Sequence, residues 1–438
     1  MSSSFLGFVA DESAAHKVPL RASRALLLLI KVCVLVSYAR RSHAVLSPSC
    51  EHVHDFLPSI YEDLEPWSLS GIDGASVDLA IAQYSVFGGQ AGVGLMVKNN
   101  ALFVMHGNIS VFRASGPSTY LLVYVRALEA LVAKYVVPDV EFVVLQDDYE
   151  RFDLSATDER SEAALWTPGG VRVPLLRYCK SHEGTAILVP YIHFYEFHVT
   201  RTLISRNLSS TIPWSTRLDV AYASYAPRQR LSVSPSTRRH DSLGKSFKAH
   251  PQALDPRTFL ANISAWAPTS ELAARFDLRA SHAKPMRDWA AHKYVVHLDG
   301  NACSSKLEQE LPLGSLIFKE VSGYRSFFHR LLRPFVHYVP FWKFRPQELA
   351  TALGWVDAHP EAAERIASAG ARFAETHLNS GALECYWLLL LREYAKLQRF
   401  KVGERQYARP EPHVPVAVFR AWVAADPKPE WHGQELEL

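Results

Sequence analysis

Two short stretches carry side chains able to move a proton or hold an anion. The first is Gln146-Asp147-Asp148-Tyr149, directly after the run Val140–Leu145, apolar but for Glu141. Acidic residues just past the C-terminal end of a buried strand stand where open α/β sheets place their active-site crevices. A carboxylate there can take the proton of an incoming hydroxyl as general base. The plainer alternative is that Asp147 or Asp148 caps the turn. The second stretch, Lys293 to Tyr338, reads as a strand at Tyr294–Leu298, a turn at Asp299-Gly300-Asn301, a helix opening near Ser304 and a strand at Ser315–Phe318. A strand that turns through glycine into a helix presents unpaired N–H groups and the positive end of a dipole, which suits a phosphate. Lys306 in the first helical turn would add a full charge. Most such turns bind nothing, so the local pattern leaves both readings open.

Two other clusters have an ordinary and a functional reading. The aromatic run Tyr191-Ile192-His193-Phe194-Tyr195 either stacks on a sugar or an acceptor, or plugs a domain interface. The polar stretch Ala226–Pro251 holds Arg228, Arg230, Arg238, Arg239, Lys245 and Lys248, and is either a solvated loop or a phosphate clamp.

The elements that must position these residues follow from periodicity. Strand patterns occur at Val93–Val97 and Leu102–His106 (joined through Asn99-Asn100), Val140–Leu145, Val173–Tyr178, Ala186–Pro190 and Leu218–Tyr222. Helical spacing marks Phe56–Glu65, Ser118–Tyr135, Phe197–Arg206, Pro346–Trp355, Glu361–Leu378 and Cys385–Phe400. The segment from Gly403, rich in Pro and Trp, reads as an irregular tail.

At 438 residues and 48% hydrophobic, the chain can bury sizeable cores, and its length favours two domains. Its 47 basic and 44 acidic residues leave a formal charge of +3, which argues against nucleic acid as partner. Five cysteines do not make a disulfide scaffold. The apolar run Ala25–Val36 lies between Arg21, Arg24 and Arg40, Arg41 and is interrupted by Lys31. It is shorter than the roughly 20 residues of a membrane span, and suits a signal peptide core or a short signal-anchor, with a buried soluble helix as the alternative. Sequons at Asn108, Asn207 and Asn262 are compatible with lumenal exposure.

The segments YVVHLDGNACSSKL, GSLIFKE, FFHRLLRPFVHYVPF and CYWLLLLREYAKL, in that order, resemble the C-terminal half of glycosyltransferase family 90. Upstream, DLEPW with Gly71-Ile72, DVEFVVLQDDY and RYCK match the same family in the same order, so the resemblance spans roughly Cys50 to Phe400. It implies an α/β fold of the GT-B type, two Rossmann-like domains facing across a cleft. Residues 46–205 would form the acceptor-side domain with the catalytic base, and residues 206–400 the nucleotide-sugar domain. Residues 1–45 would be a cytoplasmic tail with signal-anchor or a signal peptide, and residues 401–438 a tail.

The resemblance also implies an inverting transfer of glucose or xylose from UDP-glucose or UDP-xylose to a hydroxyl of a protein or glycan, without an obligatory metal or other cofactor. Asp148 in QDDY falls on the family's catalytic aspartate, with Asp147 as the second candidate. Gly300, Asn301, Ala302, Cys303, Ser304, Ser305 and Lys306 fall on the diphosphate-binding loop, and Tyr191, His193, Tyr195 and Glu196 near the acceptor surface. Cys385 of the CYW motif resembles a cysteine paired with one near the family's N-terminus, which implies a Cys50–Cys385 bridge. The expected location is the lumen of the endoplasmic reticulum or Golgi, on a single-pass type II membrane protein.

Two departures stand out. Lys306 replaces an arginine, keeping the charge without the bidentate fork. After Tyr222, Ala223-Ser224-Tyr225 replaces an aromatic-Arg-Gly sequence, which leaves Ser224 and Tyr225 at the donor position and Arg228 or Arg230 to supply the missing charge. That loss motivates an alternative: a weakened or inactive relative that binds glycoprotein or glycan.

Overall fold

The computed structural model describes residues 50–84, 92–105, 118–145, 173–181, 184–196, 199–226, 256–279, 284–300, 302–343, 345–404 and 413–419. Three sheets organise them. The first is mixed and six-stranded, in the order β13 (Val414–Pro415), β2 (Ala101–Val104), β1 (Gly92–Lys98), β3 (Val140–Leu145), β4 (Leu175–Arg177), β6 (Ile187–Leu188). Its centre is β1 (Gly92–Lys98) and β3 (Val140–Leu145). All six residues of β3 are buried, as a strand covered on both faces requires; five are apolar, and the sixth, Glu141, accepts from the Gly403 N–H at 2.9 Å. β1 turns into β2 (Ala101–Val104) through Asn99 and Asn100, both left-handed at φ 52° and 58°. Two left-handed residues make a turn whose twist matches an antiparallel pair, and asparagine tolerates that geometry. β4 (Leu175–Arg177) and β6 (Ile187–Leu188) then add in parallel on β3.

The second sheet is entirely parallel: β7 (Leu218–Ser224), β8 (Phe276–Arg279), β9 (His292–His297), β10 (Leu316–Glu320) and β12 (Val339–Phe341). Their spatial order is β12-β10-β9-β7-β8, so the chain starts at β7, adds β8 on one side and everything later on the other. Alternate residues face opposite ways. Tyr222, Val295 and Ile317 enter a large core that continues into the first sheet, while Ala223, Val296 and Phe318 enter a smaller core of their own. β5 (Lys180–Ser181) pairs antiparallel with β11 (Tyr324–Arg325).

The C-terminal part returns to the first sheet. The helix Ser380–Leu397 packs on β3 and on the helix Leu57–Leu64, and a disulfide joins Cys50 to Cys385. Tyr386 Oη donates to the Leu188 carbonyl at 2.7 Å. The tail expected to be irregular contributes a strand, β13 (Val414–Pro415), to the edge of β2. Among the described residues no helix is long and apolar enough to cross a membrane. The run Ala25–Val36 lies outside them.

Candidate functional site

In a parallel sheet, strands that leave their neighbours in opposite directions open a crevice at their C-terminal ends. Here that switch point lies between β7 and β9, whose ends lead into Ser224-Tyr225 and Leu298-Asp299-Gly300. Two cations converge on it. Lys306 Nζ donates to the Ser224 carbonyl and stands 5.1 Å from the Tyr225 ring and 5.0 Å from that of Trp289. Burial lowers its pKa to about 8, with the positive field of Arg257 acting the same way and Glu310 opposing. Arg257, only 7% exposed, lies in the helix Pro256–Ala261. It donates to the carbonyls of Ala226 at 3.1 Å and Leu298 at 3.3 Å, and its guanidinium lies 5.0 Å from the Tyr225 ring. A Cβ on residue 300 would come within 3.2 Å of Arg257 Nη2, so glycine gives the guanidinium its room.

The loop after β9 differs from its sequence reading. The helix expected from Ser304 is a four-residue turn, Leu307–Glu310, with Lys306 as its N-cap, followed by a 3-10 turn at Leu311–Leu313. So short a helix carries little macrodipole. Several loop N–H groups are also engaged: Gly300 donates to Ala302 O at 2.9 Å, Ser304 to Asp299 Oδ1 at 2.8 Å and Lys306 to Ser304 Oγ at 3.4 Å. The positive character of the crevice therefore comes chiefly from two side chains rather than from free backbone donors.

Beneath the loop lies a fully buried polar cluster. Asp299 accepts from Ser304 N and Ser322 Oγ, while its own N–H donates to Glu320 Oε2 at 3.1 Å. His297 Nδ1 meets Glu310 Oε2 at 2.7 Å, and its Nε2 lies 3.5 Å from Asp299 Oδ1. Burial opposes charge on His297, but the facing carboxylates of Glu310 and Asp299 outweigh it and raise its pKa. Burial likewise opposes the Asp299 carboxylate, yet His297, Lys319 and Ser322 together lower its pKa.

A second disulfide, Cys179–Cys303, joins this loop to the residue after Tyr178. The Tyr178 ring lies 4.0 Å from that of Tyr191, a residue expected near the acceptor. Tyr195, expected there too, has its hydroxyl 2.8 Å from Trp387 Nε1, which donates to it from the C-terminal helix. His193 and Glu196 bound the short helix His193–Glu196. Cys303, Ser304 and Ser305 are half-buried and Ala302 is buried. Asp148, with Asp147, lies outside the described residues, as do Asn301, Arg228, Arg230 and Asn108. Asn207 and Asn262 are exposed.

Sequence reasoning missed Arg257 and the Cys179–Cys303 bridge. Pro256 does mark a helix start, as proline at a first helical position does. Nothing in the spacing shows that the next residue folds back over β7.

A family model described as Glycosyl transferase family 90 matches residues 47–411. Protein O-glucosyltransferase 2 of Danio rerio is 27% identical over 315 residues, covering 69% of this chain and 55% of that protein. O-glucosyltransferase rumi of Drosophila pseudoobscura pseudoobscura is 23% identical over 357 residues, covering 78% of this chain and 77% of that protein. Protein O-glucosyltransferase 1 of Homo sapiens is 23% identical, with 72% and 75% covered. The chain thus spans little more than half the length of the first of these relatives. A crystal structure of the Anabaena protein HepE in complex with UDP and glucose matches with a TM-score of 0.33 and 13% identity, over 62% of this chain and 75% of that one. At that score the likeness carries no weight for fold or function.

Proposed function

The chain belongs to glycosyl transferase family 90, and on that premise we propose that it transfers a sugar, glucose first among the candidates, from a UDP-sugar to a hydroxyl of a protein acceptor, with inversion. The observation that carries this reading is the convergence of Arg257 and Lys306 on the switch point between β7 and β9. The acceptor oxygen attacks the anomeric carbon, its proton passes to a carboxylate, and the bond to the diphosphate breaks with the electron pair leaving on UDP. Arg257 and Lys306 meet the charge that develops on the leaving diphosphate, where preorganised positive groups act most strongly. Asp148 is assigned the general base. Glucose leads over xylose because the relatives named above are O-glucosyltransferases.

Arg257 also bears on the binding-only alternative, since it supplies at the crevice a charge that the Ala223-Ser224-Tyr225 sequence lacks. We take the two sheets as the centres of a GT-B arrangement, with the C-terminal helix returned to the first. A lumenal, secretory-pathway location is supported by the two disulfides, which persist in oxidising compartments, and by the exposure of Asn207 and Asn262. A signal-anchor or signal peptide at Ala25–Val36 completes that reading.

The test is UDP release from a panel of UDP-sugars with protein acceptors. Release from UDP-glucose, abolished by Asp148→Asn and weakened by Arg257→Ala, is expected. Absence of thermal stabilisation by UDP or any UDP-sugar would sink the transferase reading in favour of the binding-only one.

A further inference from the structure

We infer that the Cys179–Cys303 bridge is a positioning cross-link that fastens the loop after β9 to the Tyr178–Tyr191 pair, so that the two sides of the crevice move together. Its functional meaning rests on the transferase reading; its structural core does not. Cys179 lies one residue beyond Tyr178, and Cys303 lies between Gly300 and Lys306, with the two Cα atoms 5.8 Å apart and a sequence separation of 124. Around the bridge, Tyr178, Cys179, Ala302 and Tyr324 form a small core separate from the two large ones, with Tyr191 and Cys303 packed on it. The loop is fixed elsewhere by Asp299 beneath Ser304 and by the Ser224 carbonyl beside Lys306. Both of those anchors belong to the second sheet's own strand ends. The bridge alone among these three reaches the strand system of β4, and the pairing of β5 with β11 runs alongside it through Lys180 and Arg325.

A covalent tie between segments this far apart in sequence restricts local opening as well as the unfolded chain. If the tie sets the loop, its loss should loosen residues 302–306 while leaving β9 intact. The experiment compares the full chain with its Cys179→Ser/Cys303→Ser form by hydrogen exchange and donor kinetics. Amides of residues 302–306 are expected to exchange about tenfold faster or more, as for a newly permitted local opening, with His292–His297 unchanged. KM for UDP-glucose should rise by a larger factor than kcat falls. Cys50→Ser/Cys385→Ser serves as the control for stability loss alone: its Tm should fall with loop exchange unaltered. Should the double variant fail to fold, thiol reduction of the folded wild-type protein with alkylation of Cys179 and Cys303 gives the same exchange readout. Unchanged protection of residues 302–306 overturns the inference, whatever the protein catalyses. A faster loop in a chain whose wild type binds no nucleotide sustains the cross-link and removes only the transferase reading.

Discussion

Two buried charge clusters stabilise the molecule in different ways. In the first-sheet region, Lys180 Nζ contacts Asp63 Oδ1 at 2.5 Å and donates to Ala186 O at 2.9 Å, while Asp63 Oδ2 accepts from Leu188 N at 2.9 Å. Both side chains are almost fully enclosed, and both carboxylate oxygens have partners. Under the candidate site, His297 Nδ1 meets one oxygen of Glu310, His297 Nε2 faces Asp299 Oδ1 only at 3.5 Å, and Glu310 Oε1 has no hydrogen-bond partner among the described residues. Unsatisfied buried polar atoms are costly and uncommon. The difference teaches that the first cluster is a rivet between segments, whereas the second is less completely hydrogen-bonded beneath the loop that is proposed to meet the substrate.

The sharpest way to break the comparison is to open the rivet. Lys180→Met should cost about 3–5 kcal/mol, because it leaves Asp63 buried without its partner. Urea denaturation would read this as a lower midpoint, and the double change Asp63→Leu/Lys180→Met should recover part of the loss. A double variant no better than the single one would show that the pair is not coupled.

The open cluster should reveal itself through pH. Because the pKa of His297 is raised in the folded protein, the folded state holds the proton longer than the unfolded chain. Its contribution is then complete below the ordinary histidine value and is lost as pH rises through the folded pKa, with a limiting slope of about 1.4 kcal/mol per pH unit for one proton. Glu310→Gln should flatten that slope above the ordinary histidine value, while the Lys180 variants should not.

Lys306 carries the opposite sign. With its pKa lowered from 10.5 to about 8, stability should increase as pH rises between those values, since the unfolded chain retains a proton the folded one has lost. Donor binding should weaken over the same interval as the ammonium disappears, giving a donor KM that climbs above about pH 8. Lys306→Arg should hold KM flat there; a wild-type profile equally flat would show that this charge does not meet the donor. The smallest effect is expected at an exposed pair. Asp357→Ala, which removes the Arg275 contact at 2.9 Å, should cost about 0.2–1 kcal/mol and gives the surface baseline for the two buried clusters.

Much of this architecture was legible in local pattern. The largely apolar β3, the Asn99-Asn100 turn and the strand–turn sequence through Asp299-Gly300 all follow from neighbouring residues. The Cys50–Cys385 pairing followed from family resemblance alone. The motifs that carried that resemblance prove to be each other's partners: Asp63 of DLEPW pairs with Lys180 of RYCK, and Ile72 N donates to Leu397 O, bringing the Gly71-Ile72 turn to the end of the C-terminal helix. What sequence could not convey were contacts set by the assembled sheets. Arg257 comes from an unremarkable helix start, Cys179 and Cys303 had no pattern to join them, and β13 lies in a segment whose prolines read as loop. Helical spacing from Ser304 ended early, because Pro312 and the left-handed Gly314 (φ 70°) terminate the helical stretch into β10.

The pairing of β13 with β2, together with the Cys50–Cys385 bridge, has a consequence for biogenesis. A chain leaves the ribosome N-terminus first, and domains generally fold in that order. Here Cys50 gains its sulfur partner 335 positions later in the sequence, and the edge of β2 gains its outer strand later still. The first sheet cannot close as its own residues are synthesised. Until then it waits with the β2 edge unpaired and the Cys50 thiol without this partner. Removal of the segment that holds Cys385 and β13 should therefore damage the first sheet, which is made earlier, rather than the second.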